Sequence, residues 1–230
     1  MRWVVATFNV KHCTMAGKDT QVDLDATAAA CAELRADILG LQELDNGCER
    51  SGCVDQSAML AGHLKCQMMP AFGHTGTNAD GSVFTFGNAL LSRFPIEGEM
   101  RLLDGKGEQR SCFVGQTGGL SVVTTHLSTD KDVSRAQFLQ ALSFAMDLPS
   151  PRVLLGDLNR TKCEISAAIS VAGFASAGWM PTFPRRFSYR KIDHVLYQDD
   201  LHVSRRQVRR FPVSDHRALA VEIETKSLLP

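Results

Sequence analysis

Polar side chains of catalytic type stand where apolar runs end: Asn9, Glu43, Asn88, His126, Asp157, Asn159, Asp193 and the adjacent Asp215 and His216. The densest case is Val153–Arg160, V-L-L-G-D-L-N-R, where three aliphatic residues meet Gly156 and then Asp157 and Asn159. A carboxylate and an amide two apart on an extended segment project to the same side. Together they offer an anionic base or ligand beside a neutral hydrogen-bond donor, which suits a phosphate. Alone, the stretch reads as a strand ending in an Asx turn. Its recurrence at other strand ends changes that reading, because sites of α/β folds gather at strand ends and the loops that follow them.

The elements that must position these groups follow from periodicity and turn chemistry. Apolar runs predict strands over Arg2–Val10, Ile38–Leu41, Lys65–Pro70, Gly87–Ser92, Val153–Gly156, Ile192–Tyr197, Leu201–Arg209 and Ala218–Ile223. Ser111–Gln116 and Leu120–Thr125 flank Thr117-Gly118-Gly119, a hairpin signal. Asp23 or Asp25 is expected to cap a helix running to Arg35, and Asp55 one over Gln56–Leu64. Ser134–Asp147 is amphipathic, with Phe138, Leu139, Leu142 and Met146 at helical spacing, and a further helix is expected near Glu164–Ala172. Gly73–Ser82, rich in Gly, Thr and Asn, reads as a loop. Strands and helices alternate only in part, and the hairpin breaks a pure βαβ pattern.

Composition bounds the function classes. The 230 residues are within reach of a single large α/β domain, and 44 % are apolar, enough for a core. Lys+Arg and Asp+Glu balance at 25 each, which disfavours a protein that lives on bulk attraction to nucleic acid. Met1-Arg2-Trp3 runs straight into strand-like Val4-Val5-Ala6, so no signal peptide is expected, and no stretch approaches a membrane span. The seven cysteines form no paired C-x-x-C zinc pattern; Cys48 and Cys53 are near enough in sequence to bridge, but reduced, mostly buried thiols in a cytoplasmic protein are expected.

T-F-N-V (Thr7–Val10), L-Q-E-L-D (Leu41–Asp45), G-N-A-L-L-S-R (Gly87–Arg93), T-T-H-L (Thr124–Leu127), G-D-L-N (Gly156–Asn159), I-D-H-V-L (Ile192–Leu196) and S-D-H-R-A-L (Ser214–Leu219) occur in that order. In order and spacing they resemble the endonuclease/exonuclease/phosphatase superfamily with the deoxyribonuclease I-like fold. The pattern E-L-D-x-x-x-x-R-S (Glu43–Ser51) followed by Asp55-Gln56, with T-F-P at Thr182–Pro184, looks like the bacterial metal-dependent hydrolase branch near the sphingomyelinase-like proteins. The resemblance implies one α/β domain over residues 1–230, with two mixed sheets packed face to face, helices on the outer faces and the site at one edge. It also implies hydrolysis of a phosphate ester with Mg²⁺ or Mn²⁺, by direct attack of an activated water. A small phosphodiester or phosphomonoester is the expected substrate. A nuclease acting on DNA or RNA is the alternative, and a catalytically inactive binding domain is a reading from another class.

Roles follow by the same resemblance. Glu43 is the main metal ligand, Asn9 lies beside metal or phosphate, and Asp215 is a second carboxylate on the metal side. Asp157 orients or deprotonates the attacking water, and Asn159 holds a phosphoryl oxygen. His216 pairs with Asp193, and His126 donates a hydrogen bond or proton to the phosphoryl oxygens. Either Asp157 or His216 can be the general base. Arg50, Asn88 and Arg110 are candidate substrate contacts. His12, His63, His74 and His202 match no motif and read as surface or structural, and His194 reads as a bystander pointing away from Asp193. Arg185, Arg186, Arg190 and Lys191 should hang over the mouth with Phe183, Phe187 and Tyr189, whereas Arg205, Arg206, Arg209 and Arg210 read as a solvated face.

Overall fold

A computed structural model describes residues 1–198 and 200–226; Asp199 and residues 227–230, the remainder of the expected 1–230 domain, lie outside the described residues. In chain order the elements are β1 (Arg2–Asn9), α1 (Leu24–Glu33), β2 (Ile38–Asn46), α2 (Gln56–Leu64), β3 (Gln67–Thr77), β4 (Val83–Ser92), β5 (Ile96–Leu103) and β6 (Arg110–Thr117). They continue with β7 (Leu120–His126), α3 (Lys131–Asp147), β8 (Arg152–Asp157), α4 (Lys162–Val171), β9 (Phe174–Ser176), β10 (Asp193–Gln198), β11 (Leu201–Arg209) and β12 (Ala218–Thr225). The strands form two six-stranded sheets, β11-β12-β1-β2-β4-β3 and β5-β6-β7-β8-β10-β9. Each sheet has one parallel pair at its centre, β1 with β2 and β7 with β8. Parallel neighbours need a crossover, and α1 and α3 supply them.

Period-two alternation builds three apolar layers. On β1, Trp3 and Val5 face the opposite sheet, while Ala6 and Phe8 face the helices. Between the sheets Trp3, Ile38 and Leu90 meet Phe113, Val122 and Leu155. Leu39, Leu41 and Leu60 pack with α1 and α2 outside the first sheet, and Leu154, Phe138 and Ile165 with α3 and α4 outside the second. The result is the expected four-layer arrangement. No helix of the described residues is long and apolar enough to cross a membrane.

The caps explain the helix starts. Asp23, rather than Asp25, accepts from Ala26 N, and Asp55 accepts from Ala58 N. Asp130 starts α3 three residues before the expected Ser134 by accepting from the Asp132 and Val133 amides. A Thr161–Glu164 capping box starts α4 at Lys162. The expected loop at Gly73–Ser82 is narrowed to 78–82: β3 continues to Thr77 and pairs with β4. Gly76 does not break that strand; it makes room for the Phe84 ring, whose carbon would stand 2.3 Å from a β-carbon there. All seven cysteines are free thiols, so Cys48 and Cys53 are not bridged. Arg205 and Arg209 lie on the outer strand β11 and pair with Glu222 and Glu33, as a solvated face should.

This topology delivers the polar strand ends to one edge. Asn9 and His126 close β1 and β7, Asp157 closes β8, and Glu43 lies near the end of β2. Asp193 opens β10, which runs antiparallel to β8, so Asp193 stands opposite Asp157; His126 stands opposite Asp157 on the other side. Asp215 and His216 precede β12, which runs antiparallel beside β1.

Candidate active site

Backbone strain collects at this edge. Among the described residues nine non-glycine positions take positive φ. Arg35, Cys53 and Lys65 do so at helix ends or turns, whereas Lys11, His12, Cys13, Glu43, Asn159 and Ser214 lie at the strand mouths. Each such conformation costs on the order of 1–3 kcal/mol. The sequence L-Q-E-L-D conceals one reason. The β2–β4 register shifts between Leu41 and Leu44, a bulge that lets both leucines face the helix layer while Glu43 leaves the alternation. Gly156, at φ 146°, sets the β7–β8 approach, since a β-carbon there would lie 1.9 Å from the Thr125 carbonyl oxygen.

One continuous polar network results. The Asn9 amide nitrogen donates to Glu43 Oε1 at 2.8 Å and to Asp157 Oδ2 at 3.1 Å, so a single side chain joins carboxylates from the two sheets. Asp157 Oδ1 accepts from the Asn159 amide at 2.9 Å. His126 Nε2 and His216 Nε2 each stand 3.6 Å from Asp157 Oδ2. On its far side, His216 Nδ1 lies 2.9 Å from Asp193 Oδ2. Phe183 tilts over the His216 ring at 4.7 Å, and the buried Thr182 hydroxyl accepts from Asp193 N at 3.3 Å, so T-F-P lies against the site.

Burial and charge set the titration behaviour. Burial, with Asp193 close by, pushes the Asp157 carboxyl well above the usual carboxylate range. Burial alone would depress His216, but the Asp193 and Asp157 carboxylates overcome it and push the imidazole up. Burial and the Arg110 guanidinium hold His126 well below the usual imidazole range.

The other expected residues sort by what they touch. Asn159 Nδ2 donates to Leu127 O at 2.9 Å and lies 3.2 Å from His126 Nε2. Asp215 is partly exposed and pairs with Lys11 at 3.1 Å rather than joining the buried cluster. Asn88 is buried and donates to Ser111 O, tying β4 to β6. Arg110 is turned onto His126 Nδ1 at 2.9 Å and Glu108 at 3.1 Å. Arg50 grips the buried Asp45 with two nitrogens, at 2.9 and 2.6 Å, and lies over the Phe86 ring. His194 is buried, faces the Arg160 carbonyl and is a bystander to the network.

Two expectations are corrected. His12 is no surface residue: its Nε2 lies 3.5 Å from Glu43 Oε2 and its Nδ1 3.4 Å from Asp45 Oδ1. Gln56 explains how it is held, accepting from Asp45 N at 3.0 Å and donating to the His12 carbonyl at 2.8 Å. The E-L-D-x-x-x-x-R-S…D-Q pattern is therefore the frame around His12 and Asp45, and that frame is the signal that could have found His12. Lys191 does not overhang the mouth. It is buried, donates to the Ser176 hydroxyl at 2.7 Å, and burial lowers it to about 8. Arg186, Phe187 and Tyr189 do stand in solvent, joined by Trp179.

Potential ligand atoms of Asp157, Asp193 and His216 lie within 4.8 Å of one another, close enough to hold a metal ion. Against an imidazole ligand stands the engagement of His216 Nδ1 with Asp193 and the preference of hard cations for oxygen. Glu43 offers the alternative: a partly exposed carboxylate at the mouth, with Asn9 beside it.

The endonuclease/exonuclease/phosphatase family matches residues 6–216. No curated protein matches the chain in sequence. Among solved structures, an endonuclease/exonuclease/phosphatase from Beutenbergia cavernae shares the fold with TM-score 0.79 at 21 % identity, covering 97 % of this chain and 72 % of that one. A family protein from Bacteroides thetaiotaomicron superposes with TM-score 0.71 at 18 % identity over 97 % of each chain. D. rerio TDP2, solved with a single-strand DNA product, gives TM-score 0.67 at 14 % identity over 97 % of this chain and 99 % of that one. With the family matched across nearly all of the chain, the site at this sheet edge is that of a member of the endonuclease/exonuclease/phosphatase family.

Proposed function

We propose that this chain is a divalent-metal-dependent hydrolase of a small phosphodiester or phosphomonoester, working by direct attack of water without a covalent intermediate. The observation that carries the reading is Asp157, buried between His126 and His216, with Asp193 behind His216 and Glu43 one amide away. Asp157 is the general base. Its carboxylate is raised toward neutrality, where a base is most effective, whereas His216 sits between two carboxylates that hold its proton. His216 then presents positive charge to the phosphoryl oxygens, and Asn159 orients Asp157 through its backbone amide. Glu43 would hold Mg²⁺ or Mn²⁺ through its carboxylate, the hard oxygen ligand either ion prefers, with Asn9 donating to that carboxylate. Bound there, the cation would supply Lewis-acid polarisation of a phosphoryl oxygen. Asp215 would act only at longer range, since Lys11 holds it. The E-L-D…R-S…D-Q frame supports placement near the sphingomyelinase-like branch, and seven free thiols support a cytoplasmic setting. We read residues 1–230 as one domain.

Turnover of a chromogenic bis-phosphodiester tests this reading. Hydrolysis is expected with Mg²⁺ or Mn²⁺ and should stop on chelation. Activity that survives exhaustive chelation would remove the metal from the mechanism, and no hydrolysis of any phosphoester in a broad screen would favour an inactive binding domain.

A nuclease is the second reading, favoured by the exposed Phe187 beside Arg186, by the exposed Trp179 and Tyr189, and by the DNA product bound to the TDP2 relative. Salt dependence separates the two. With zero net charge, binding to duplex DNA is expected to be weak at physiological salt with a shallow slope, because few phosphates are neutralised. Nanomolar affinity with a steep slope would promote the nuclease.

A further inference from the structure

We propose that Arg110 is a positioning residue that locks His126 in one neutral tautomer, Nδ1 accepting and Nε2–H directed at the Asp157 side of the site. His126 then supplies the reacting phosphoryl group with a hydrogen bond and not a proton. The function of that bond rests on the hydrolase reading; the tautomer does not.

The argument is a count of donors. A guanidinium has N–H donors and no acceptor. Arg110 Nη1 lies 2.9 Å from His126 Nδ1, so that ring nitrogen must present its lone pair. A neutral imidazole carries one N–H, which is thereby placed on Nε2, 3.6 Å from Asp157 Oδ2. Protonating Nδ1 as well would set two donors and two positive charges against each other in a ring that is 5 % exposed. Burial and Arg110 depress His126 accordingly, with His216 and His12 adding smaller contributions of the same sign. One further donor faces the ring: Asn159 Nδ2 gives one hydrogen to the Leu127 carbonyl and lies 3.2 Å from Nε2, but the charged guanidinium at 2.9 Å is the nearer and stronger donor and claims the ring lone pair.

Arg110 is built for this position. It opens β6, and the pairing of Cys112 with Thr125 brings that end of β6 beside His126 at the end of β7. Its other terminal nitrogen pairs with Glu108, and the side chain is largely buried.

The comparison with His216 sharpens the assignment. Two imidazoles approach the same Asp157 oxygen from equal distances. Behind one stands a carboxylate, Asp193; behind the other stands a guanidinium, Arg110. Opposite partners push the two rings apart in protonation state, which separates their tasks. Proton transfer belongs to Asp157, His216 presents positive charge, and His126 polarises.

Nitrogen-15 NMR of the imidazoles, with His126 assigned through His126→Gln, tests the tautomer without reference to turnover. A neutral Nε2–H ring is expected at neutral pH. An Nδ1–H ring, or an imidazolium at neutral pH, overturns the proposal even if the enzyme is fully active. Arg110→Glu puts an acceptor in place of the donor and should convert the ring to Nδ1–H or imidazolium. It should also lower kcat by about 10²–10³-fold, the scale of one lost oxyanion donor. Arg110→Lys keeps a donor and should retain Nε2–H with kcat within about 10-fold, a smaller loss than that. If Arg110→Glu does not fold, the wild-type and Arg110→Lys spectra decide. An unchanged tautomer in folded Arg110→Glu would overturn the lock. If no phosphoester is hydrolysed but the tautomer is found, the lock stands and the hydrolase reading falls.

Discussion

His216→Ala is expected to cut turnover by a factor on the order of 10²–10⁴, the usual scale for a positioned acid or base. The side chain touches carboxylates on both ring nitrogens, Asp193 at 2.9 Å and Asp157 at 3.6 Å, so its loss removes both the charge offered to the phosphoryl group and the partner of the base. Asp193→Asn should cost less, because the amide keeps the volume and one acceptor while losing the electrostatic support. The double variant should be little worse than His216→Ala alone, since two groups acting as a unit are not additive. Steady-state kinetics on the four proteins reads this directly; losses that multiply would show that the two side chains work independently. Stability should follow the same pair. The imidazole is raised from 6.5 to about 10, so the ion pair's contribution to folding is fully present below pH 6.5 and lost as the pH rises toward 10. The stability gap between wild type and His216→Ala should therefore narrow across that window in denaturant titrations.

Glu43→Gln should abolish metal-dependent hydrolysis while leaving the fold intact. The substitution preserves size and the ability to accept from Asn9, but removes the charge that attracts a hard cation. Little stability is at stake. The carboxylate is partly exposed, and it shares the Asn9 amide with Asp157, so loss of its charge eases like-charge repulsion between the two. Thermal unfolding should show an unchanged or slightly raised Tm, and calorimetric titration with Mn²⁺ should show binding lost. Near-native turnover in the variant, with binding retained, would move the ion to the Asp157, Asp193 and His216 cluster instead.

Residues that touch through the chain's own periodicity were legible in the sequence. Alternating apolar residues and bounded runs specify β1, β8 and β11, because the side-chain period of a strand is a local property. Asp23 and Asp55 announce their helices because a cap reaches only three residues ahead. The order of polar strand ends was likewise visible, and with it the edge that would carry the site. β5 was not legible, because an edge strand with an exposed face has no apolar run to show.

Tertiary structure decided the partner of each polar group. Asn9 meets Asp157 across 148 positions, and Ser214 meets the Asn9 carbonyl across 205. Such pairings depend on sheet register and on the packing of one sheet against the other, and no local pattern encodes either. The bulge after Leu41 brings Glu43 to the mouth, and the left-handed turn at Lys11–Cys13 brings His12 into reach of it. The same cause redirects the arginines. Arg50 grips Asp45 and Arg110 grips His126, because a buried carboxylate and a buried imidazole each require a partner once water is excluded. Composition and motif order therefore determined which chemical groups reach this edge, while register, bulge and burial determined which of them carry charge and which hold others in place.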